Sequence, residues 1–210
     1  GLEGTGSVTA NGGAGGNGSL DDGGGGGGGR IAVVYDTGST GTLTLQAYGG
    51  NGPGLADVAA AGTVFTKSGS ETSGTLTTNN NDLESRFART QIIGDITFDT
   101  VVSASSSNLS VATGTTMSYT TLDIGDGGIL TERGVINFPS SFTVDAGGEV
   151  RFDRARSLTD LTVNGTVSHS DNKTTQEYIL NLTVTNDLTI NSGGSINVSE
   201  AGYDSGIGFG

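Results

Sequence analysis

The feature that most constrains the fold is a short unit, written most clearly at Asp187 to Gly202: Asp-Leu-Thr-Ile-Asn-Ser-Gly-Gly-Ser-Ile-Asn-Val-Ser-Glu-Ala-Gly. Leu188, Ile190, Ile196 and Val198 alternate with polar residues on both sides of the Gly193-Gly194 pair. Period-two alternation puts every second side chain on one face of an extended strand, and a glycine pair lets the backbone bend sharply between strands. The unit therefore predicts two short strands meeting at a corner, apolar on one face and wet on the other.

Phe142 to Phe152 keeps the same apolar positions around Gly147-Gly148, and Leu161 to Val167, Leu122 to Leu130 and Leu109 to Met117 repeat the unit with small changes at the corner. From Leu122 to Phe142 is 20 residues, from Phe142 to Leu161 is 19, and from Leu161 to Leu188 is 27, which leaves room for a loop. Steps of this size mark solenoids rather than tandem globular domains. No unit can bury its apolar face alone. Stacked about 4.8 Å apart, successive units pair strand on strand and their inward Leu, Ile and Val side chains form one continuous column. The sequence thus predicts an all-β fold, a single-stranded parallel β-helix (β-solenoid) with glycine-rich loops, of about ten turns and on the order of 45 Å long.

Composition agrees with that reading. A hydrophobic fraction of 32% without Trp is thin for an ordinary globular core but sufficient for one narrow column. The expected organisation is a single domain over 1–210, glycine-rich over 1–60 and more regular over 61–210. The 39 glycines lack the strict three-residue spacing of collagen, and 2 prolines are too few for a proline-rich linker. Seven consecutive glycines, Gly23 to Gly29, run directly into Arg30-Ile-Ala-Val-Val-Tyr35 and then Gly41-Thr-Leu-Thr-Leu-Gln46, two strand-like segments. We read this tract as a tight loop or a bare-backbone strand between turns of the solenoid, where the absence of Cβ lets chains approach closely, rather than as flexible linker. Further strands are expected over Ala61 to Lys67, Gly74 to Thr78 and Asp95 to Asp99. Helix formers with mixed charge occur only in the short run Asn81 to Thr90.

Nine Lys and Arg against 22 Asp and Glu give a net charge of −13. That balance excludes nucleic acid as an expected partner, because such binding requires clustered cations. No apolar run is long enough to span a bilayer as a helix, so membrane insertion is not expected either. The chain opens and closes in the same phase of the repeat, and neither end shows a polar cap. We expect either more protein beyond both ends or coverage by other copies of the chain, a homopolymer growing head to tail.

Three stretches carry a resemblance: Gly26 to Tyr35, Ala61 to Lys67, and Gly194-Ser-Ile-Asn-Val-Ser-Glu-Ala-Gly-Tyr203. They resemble the glycine-rich parallel β-helix repeats of very large, adhesin-like bacterial surface and secreted proteins. The resemblance implies an extracellular or cell-surface location and a structural or adhesive role. From the uncapped, in-phase ends and the lack of a coherent site we expect self-assembly into a filament or stalk and no enzymatic activity.

Two kinds of site are worth naming. Parallel β-helix enzymes acting on acidic polysaccharides are similar in architecture and set carboxylates beside Arg or Lys in a surface groove. Arg151, Asp153, Arg154 and Arg156 form the densest charge cluster of the chain and are the carbohydrate candidates, with a surface polysaccharide as partner. The alternative is four solvated side chains at a strand edge. Calcium is the candidate cofactor, since Asp carboxylates and carbonyls at turns are its ordinary ligands. Asp123-Ile-Gly-Asp126-Gly-Gly partly matches such a loop, and Asp21-Asp22 is a second candidate. Neither belongs to a repeated metal-binding pattern. His169, the single histidine, lies between serines and reads as a loop residue.

Overall fold

The computed structural model describes residues 1–18, 22–53, 58–84 and 88–204. All regular structure among them is β-strand, and no helix there is long and apolar enough to cross a membrane. In chain order the strands are β1 (Ser7–Thr9), β2 (Arg30–Tyr35), β3 (Thr44–Gln46), β4 (Thr63–Ser68), β5 (Thr75–Asn79), β6 (Thr90–Ile92) and β7 (Ile96–Ala104). Then come β8 (Asn108–Val111), β9 (Thr116–Ile124), β10 (Ile129–Glu132), β11 (Val135–Ile136), β12 (Ser141–Val144) and β13 (Glu149–Phe152). The last are β14 (Arg156–Leu158), β15 (Asp160–Val163), β16 (Thr166–Ser168), β17 (Leu182–Val184), β18 (Leu188–Ile190) and β19 (Ser195–Ile196).

Two six-stranded sheets run in the orders β19-β16-β13-β10-β8-β6 and β11-β9-β7-β5-β4-β2. A three-stranded sheet, β12-β15-β18, and the pairs β14-β17 and β1-β3 complete the set. Among the described strands pairing is parallel with one exception, the antiparallel β4-β5. The exception follows from chain length. Only residues 69–74 separate these strands, far fewer than the dozen or so that a parallel crossover needs. Asp99 holds this hairpin closed, its carboxylate accepting the Ser73 and Gly74 N–H groups at 2.8 Å each.

Register turns the period-two pattern into columns. Leu109, Leu130, Val150 and Val167 stand in register across four strands, and all four are fully buried. Phe142 faces Leu161, which faces Leu188, so the 19- and 27-residue steps are those expected. The step from Leu122 to Phe142 is different. Leu122 pairs with Val101 instead, and Phe142 belongs to another sheet. The 20-residue step is kept at the corner itself, where Gly127 N–H donates to Gly147 C=O at 2.9 Å and Ile129 then pairs with Glu149.

The corner explains its glycine pair. Gly147 has φ of 80°, a left-handed conformation that a side chain disfavours, and a Cβ on Gly148 would lie 2.4 Å from the Ile124 carbonyl oxygen. Elsewhere Asn81-Asp82 and Ser105-Ser106 take similar positive φ angles at corners of their own.

The glycine-rich segments pack closely, as expected, but form no β-ladder. Gly23, Gly26 and Gly29 N–H donate to the carbonyls of Gly16, Gly13 and Ala10 at 2.9, 2.8 and 2.6 Å. Ala59 and Gly62 N–H donate likewise to Gly50 and Ala47 at 3.1 and 2.6 Å. Both sets advance three residues at a time, the step of a polyproline II helix, which makes no internal hydrogen bonds and must find partners outside itself. Bare backbone is obligatory where these segments touch. A Cβ on Gly12 would lie 1.8 Å from the Gly26 carbonyl oxygen, and one on Gly62 would lie 1.7 Å from that of Gly29.

The apolar unit 187–202 departs from expectation in its burial. Leu161, Val163 and Val167 are fully buried, yet Leu188, Ile190 and Ile196, in register with them, are 49, 49 and 37% exposed. The columns run on to the last described strands, and no described residue stacks on Leu188, Ile190 or Ile196 from the far side.

Candidate functional site

Asp153, Arg154 and Arg156 follow β13 across a bend at Arg154, so the densest charge run of the sequence is split. Arg156 turns inward. It pairs through Nη2 and Nε with Glu132, whose side chain is fully buried between Val111 and Phe152 in the apolar column. Glu132 Oε1 also accepts the Ile136 N–H at 3.2 Å, and the Arg156 guanidinium lies 5.0 Å from the Phe138 ring centroid. Phe138 itself packs on Phe142 and Phe152 at 4.5 and 5.6 Å between centroids. Burial lowers the Arg156 pKa. Arg156 is thus engaged by the core carboxylate of Glu132, with only a small part of its side chain exposed. Arg154 is exposed and donates through Nη1 to the Gly134 carbonyl at 3.0 Å.

Arg151 and Asp153 belong to a second cluster, built by register. Glu132 pairs with Phe152, which sets the next residue, Arg133, level with Asp153, and Arg133 Nε donates to Asp153 Oδ2 at 3.0 Å. The other oxygen of Asp153 accepts the Ser170 N–H at 2.6 Å, so this carboxylate ties the sheet to the loop 169–181. Asn172 holds that loop in shape. Its Oδ1 accepts the N–H groups of Glu177 and Tyr178 at 2.6 and 2.7 Å, and its Nδ2 donates to the Tyr178 carbonyl at 2.9 Å. Tyr178 is thereby set against Arg133, the guanidinium 4.7 Å from the ring centroid. The 27-residue step between Leu161 and Leu188 is the sequence trace of this loop.

Arg151 donates through Nε and Nη2 to Glu149 at 2.7 and 3.2 Å, and Ser168 Oγ donates to the same carboxylate at 2.5 Å. Burial pushes the Glu149 carboxyl up, but the bonds and charge of Arg151 together with Ser168 outweigh it and hold the group below the ordinary carboxylate value. Arg89, next to β6, faces the same cluster. Burial and the charge of Arg133 lower its pKa, and its Nη1 is buried without a hydrogen-bond partner among the described residues. Sequence reasoning named Arg151 and Asp153 but not Arg89 or Arg133, which lie far from them along the chain. The β6-β8-β10-β13 register was the only signal able to join them.

The calcium candidates lie apart from this cluster. Asp123 and Asp126 are exposed, and a Cβ at Gly147 would lie 2.5 Å from Asp126 Oδ1, so this carboxylate lies against the next corner. Asp22 is exposed and accepts the Gly18 N–H at 3.2 Å, while Asp21 lies outside the described residues. Among the described residues no three Asp, Glu or His side chains gather as a metal site. His169 Nδ1 is 2.8 Å from the Ser170 carbonyl within its loop.

Comparison with protein-family models, with curated proteins and with solved structures finds no match to this chain. The class that fold and site define is accordingly an all-β protein of predominantly parallel sheets, with a buried ion pair in its core and a guanidinium cluster at its surface.

Proposed function

We propose that the sheets are the faces of one parallel β-solenoid, and that the chain is a non-enzymatic structural segment of an extracellular rod, lengthened by end-on addition of another copy. Three features support the solenoid. Parallel partners are separated by steps near 20 residues in sheet after sheet, the corners stack, and buried side chains from different sheets join one apolar cluster. The Gly-Gly units, the acidic surface and the lack of cysteine fit a secreted structural protein of the kind the sequence resembles.

The observation that carries the functional reading is the open end of the columns. Leu188, Ile190, Ile196 and Val198 are each between a third and a half exposed, although Leu161, Val163 and Val167, the register partners of the first three, are fully buried. Completing the burial of four such side chains is worth roughly 3–6 kcal/mol. Association costs about 4–15 kcal/mol in lost freedom. Apolar contact alone therefore does not hold two copies together; the edge strands β17, β18 and β19 must also gain a backbone ladder from the incoming copy. Such an interface joins unlike ends and propagates without closing. Sedimentation velocity over a concentration series tests this. Mass should rise with concentration for the native chain and stay at one copy for the Ile190→Asp, Ile196→Asp double variant. A native chain that remains a single copy at its solubility limit would sink the proposal.

A further inference from the structure

Cations are scarce in this chain, yet they are gathered. Four of the nine Lys and Arg residues, Arg89, Arg133, Arg151 and Lys173, line one cavity of about 60 Å³ together with Ser170 and Asp171. The carboxylates facing Arg151 are Glu149, Asp171 and Asp153. Glu149 and Asp153 are already engaged by Arg151 and by Arg133 with the Ser170 N–H. Among the described residues, the buried guanidinium nitrogen Arg89 Nη1 has no hydrogen-bond partner. Leaving such a charged donor unpaired is costly, and an acceptor in the cavity would remove the cost. The volume holds about four waters, enough for a carboxylate or sulfate group.

The surroundings say what carries the group. Arg151 and Asp171 also line an adjoining depression of about 180 Å³, whose walls include Thr166, Ser168 and Asn197, hydroxyls and an amide suited to sugar hydroxyls. Beyond it, sharing His169, is a wider hollow with Tyr178 and Tyr203. Aromatic rings supply flat apolar faces beside the polar wall. We propose that the Arg89–Arg133–Arg151 cavity binds the carboxylate or sulfate group of an acidic saccharide, whose ring occupies the adjoining polar depression under the 169–181 loop. Arg89 is the anchor, and the loop forms the wall opposite the sheet. The cavity itself, lined by Arg89, Asn108, Arg133, Arg151, Ser170, Asp171 and Lys173, includes none of the four exposed apolar side chains of the column end.

The test is calorimetric titration of the dilute full chain at fixed ionic strength. The probes are an oligogalacturonate, its neutral methyl ester, a sulfated galactan oligomer and sodium sulfate alone. At least one acidic oligomer should bind, the ester should not, and Arg89→Met should weaken binding roughly tenfold or more. In parallel, the ¹⁵N-labelled guanidinium signal of Arg89 in the native chain should move during the same titration, a readout independent of whether the variant folds. Equal binding of the ester, free sulfate binding as tightly as the oligomers, unchanged affinity in Arg89→Met, or an Arg89 signal that stays still at saturation would each overturn the proposal.

Discussion

Gly12 and Gly13 are neighbours with opposite surroundings. A Cβ on Gly12 would lie 1.8 Å from the Gly26 carbonyl oxygen, whereas nothing lies within 4 Å of one on Gly13. Relieving the Gly12 contact to the 3.4 Å where ordinary packing begins requires a shift of 3.4 − 1.8, or 1.6 Å. That shift breaks the bonds from Gly12 N–H to Tyr48 and from Gly26 N–H to Gly13, both 2.8 Å. At about 0.5–1.5 kcal/mol each, the native state loses roughly 1–3 kcal/mol. Either substitution also stiffens the unfolded chain, which stabilises by about 0.4–1 kcal/mol, and this contribution is common to both variants. Gly12→Ala should therefore be about 1–3 kcal/mol less stable than Gly13→Ala. Urea midpoints give the global difference, and amide exchange at Gly26 and Gly29, faster by roughly tenfold or more in Gly12→Ala, locates it. Equal behaviour of the two variants, or greater damage from Gly13→Ala, would refute the polyglycine packing.

Other perturbations probe the rest of the molecule. Leu161→Ala empties a fully buried site in the middle of a column and should cost about 3–5 kcal/mol in urea unfolding. Arg156→Met leaves the Glu132 carboxylate buried and unpaired and should cost about 3–5 kcal/mol, while the joint Glu132→Leu, Arg156→Met replacement should recover most of that loss. Acid should destabilise the fold: the carboxyls of Glu149, Glu71 and Asp160 are held below their unfolded values, Glu71 chiefly by the Ser68 N–H and Asp160 chiefly by Ser141. Their contribution is complete above those unfolded values, about 4, and is lost as pH falls through the lower folded ones. Urea midpoints should thus hold steady from neutrality to about pH 5 and fall below that, and a midpoint that rises on acidification would contradict the assignments.

Much of the architecture was legible because it depends on local pattern. The alternation around Gly147-Gly148 and Gly193-Gly194 specifies strand, corner and strand, and the spacing of Phe142, Leu161 and Leu188 is the register later found between them. The antiparallel β4-β5 pair was hidden, since Ala61 to Lys67 and Gly74 to Thr78 show the same alternation whichever way they pair. The glycine tracts were legible only as a need for close approach; their three-residue bonding step matches neither the helix nor the strand period. At the site, Arg151 and Asp153 stood out by local density of charge. Arg89 and Arg133 did not, because strand register, not proximity in sequence, brings them to that face. Arg156 looked like part of the same cluster until the buried Glu132, placed in the column between Val111 and Phe152, claimed it.

The most direct test of a rod that lengthens at its open apolar end is electron cryomicroscopy of the concentrated full chain. The account predicts unbranched filaments one molecule wide, with a layer line at about 4.8 Å showing that strands stack along the filament axis. Separate particles at every concentration, or assemblies whose strands lie parallel to the long axis, would contradict it.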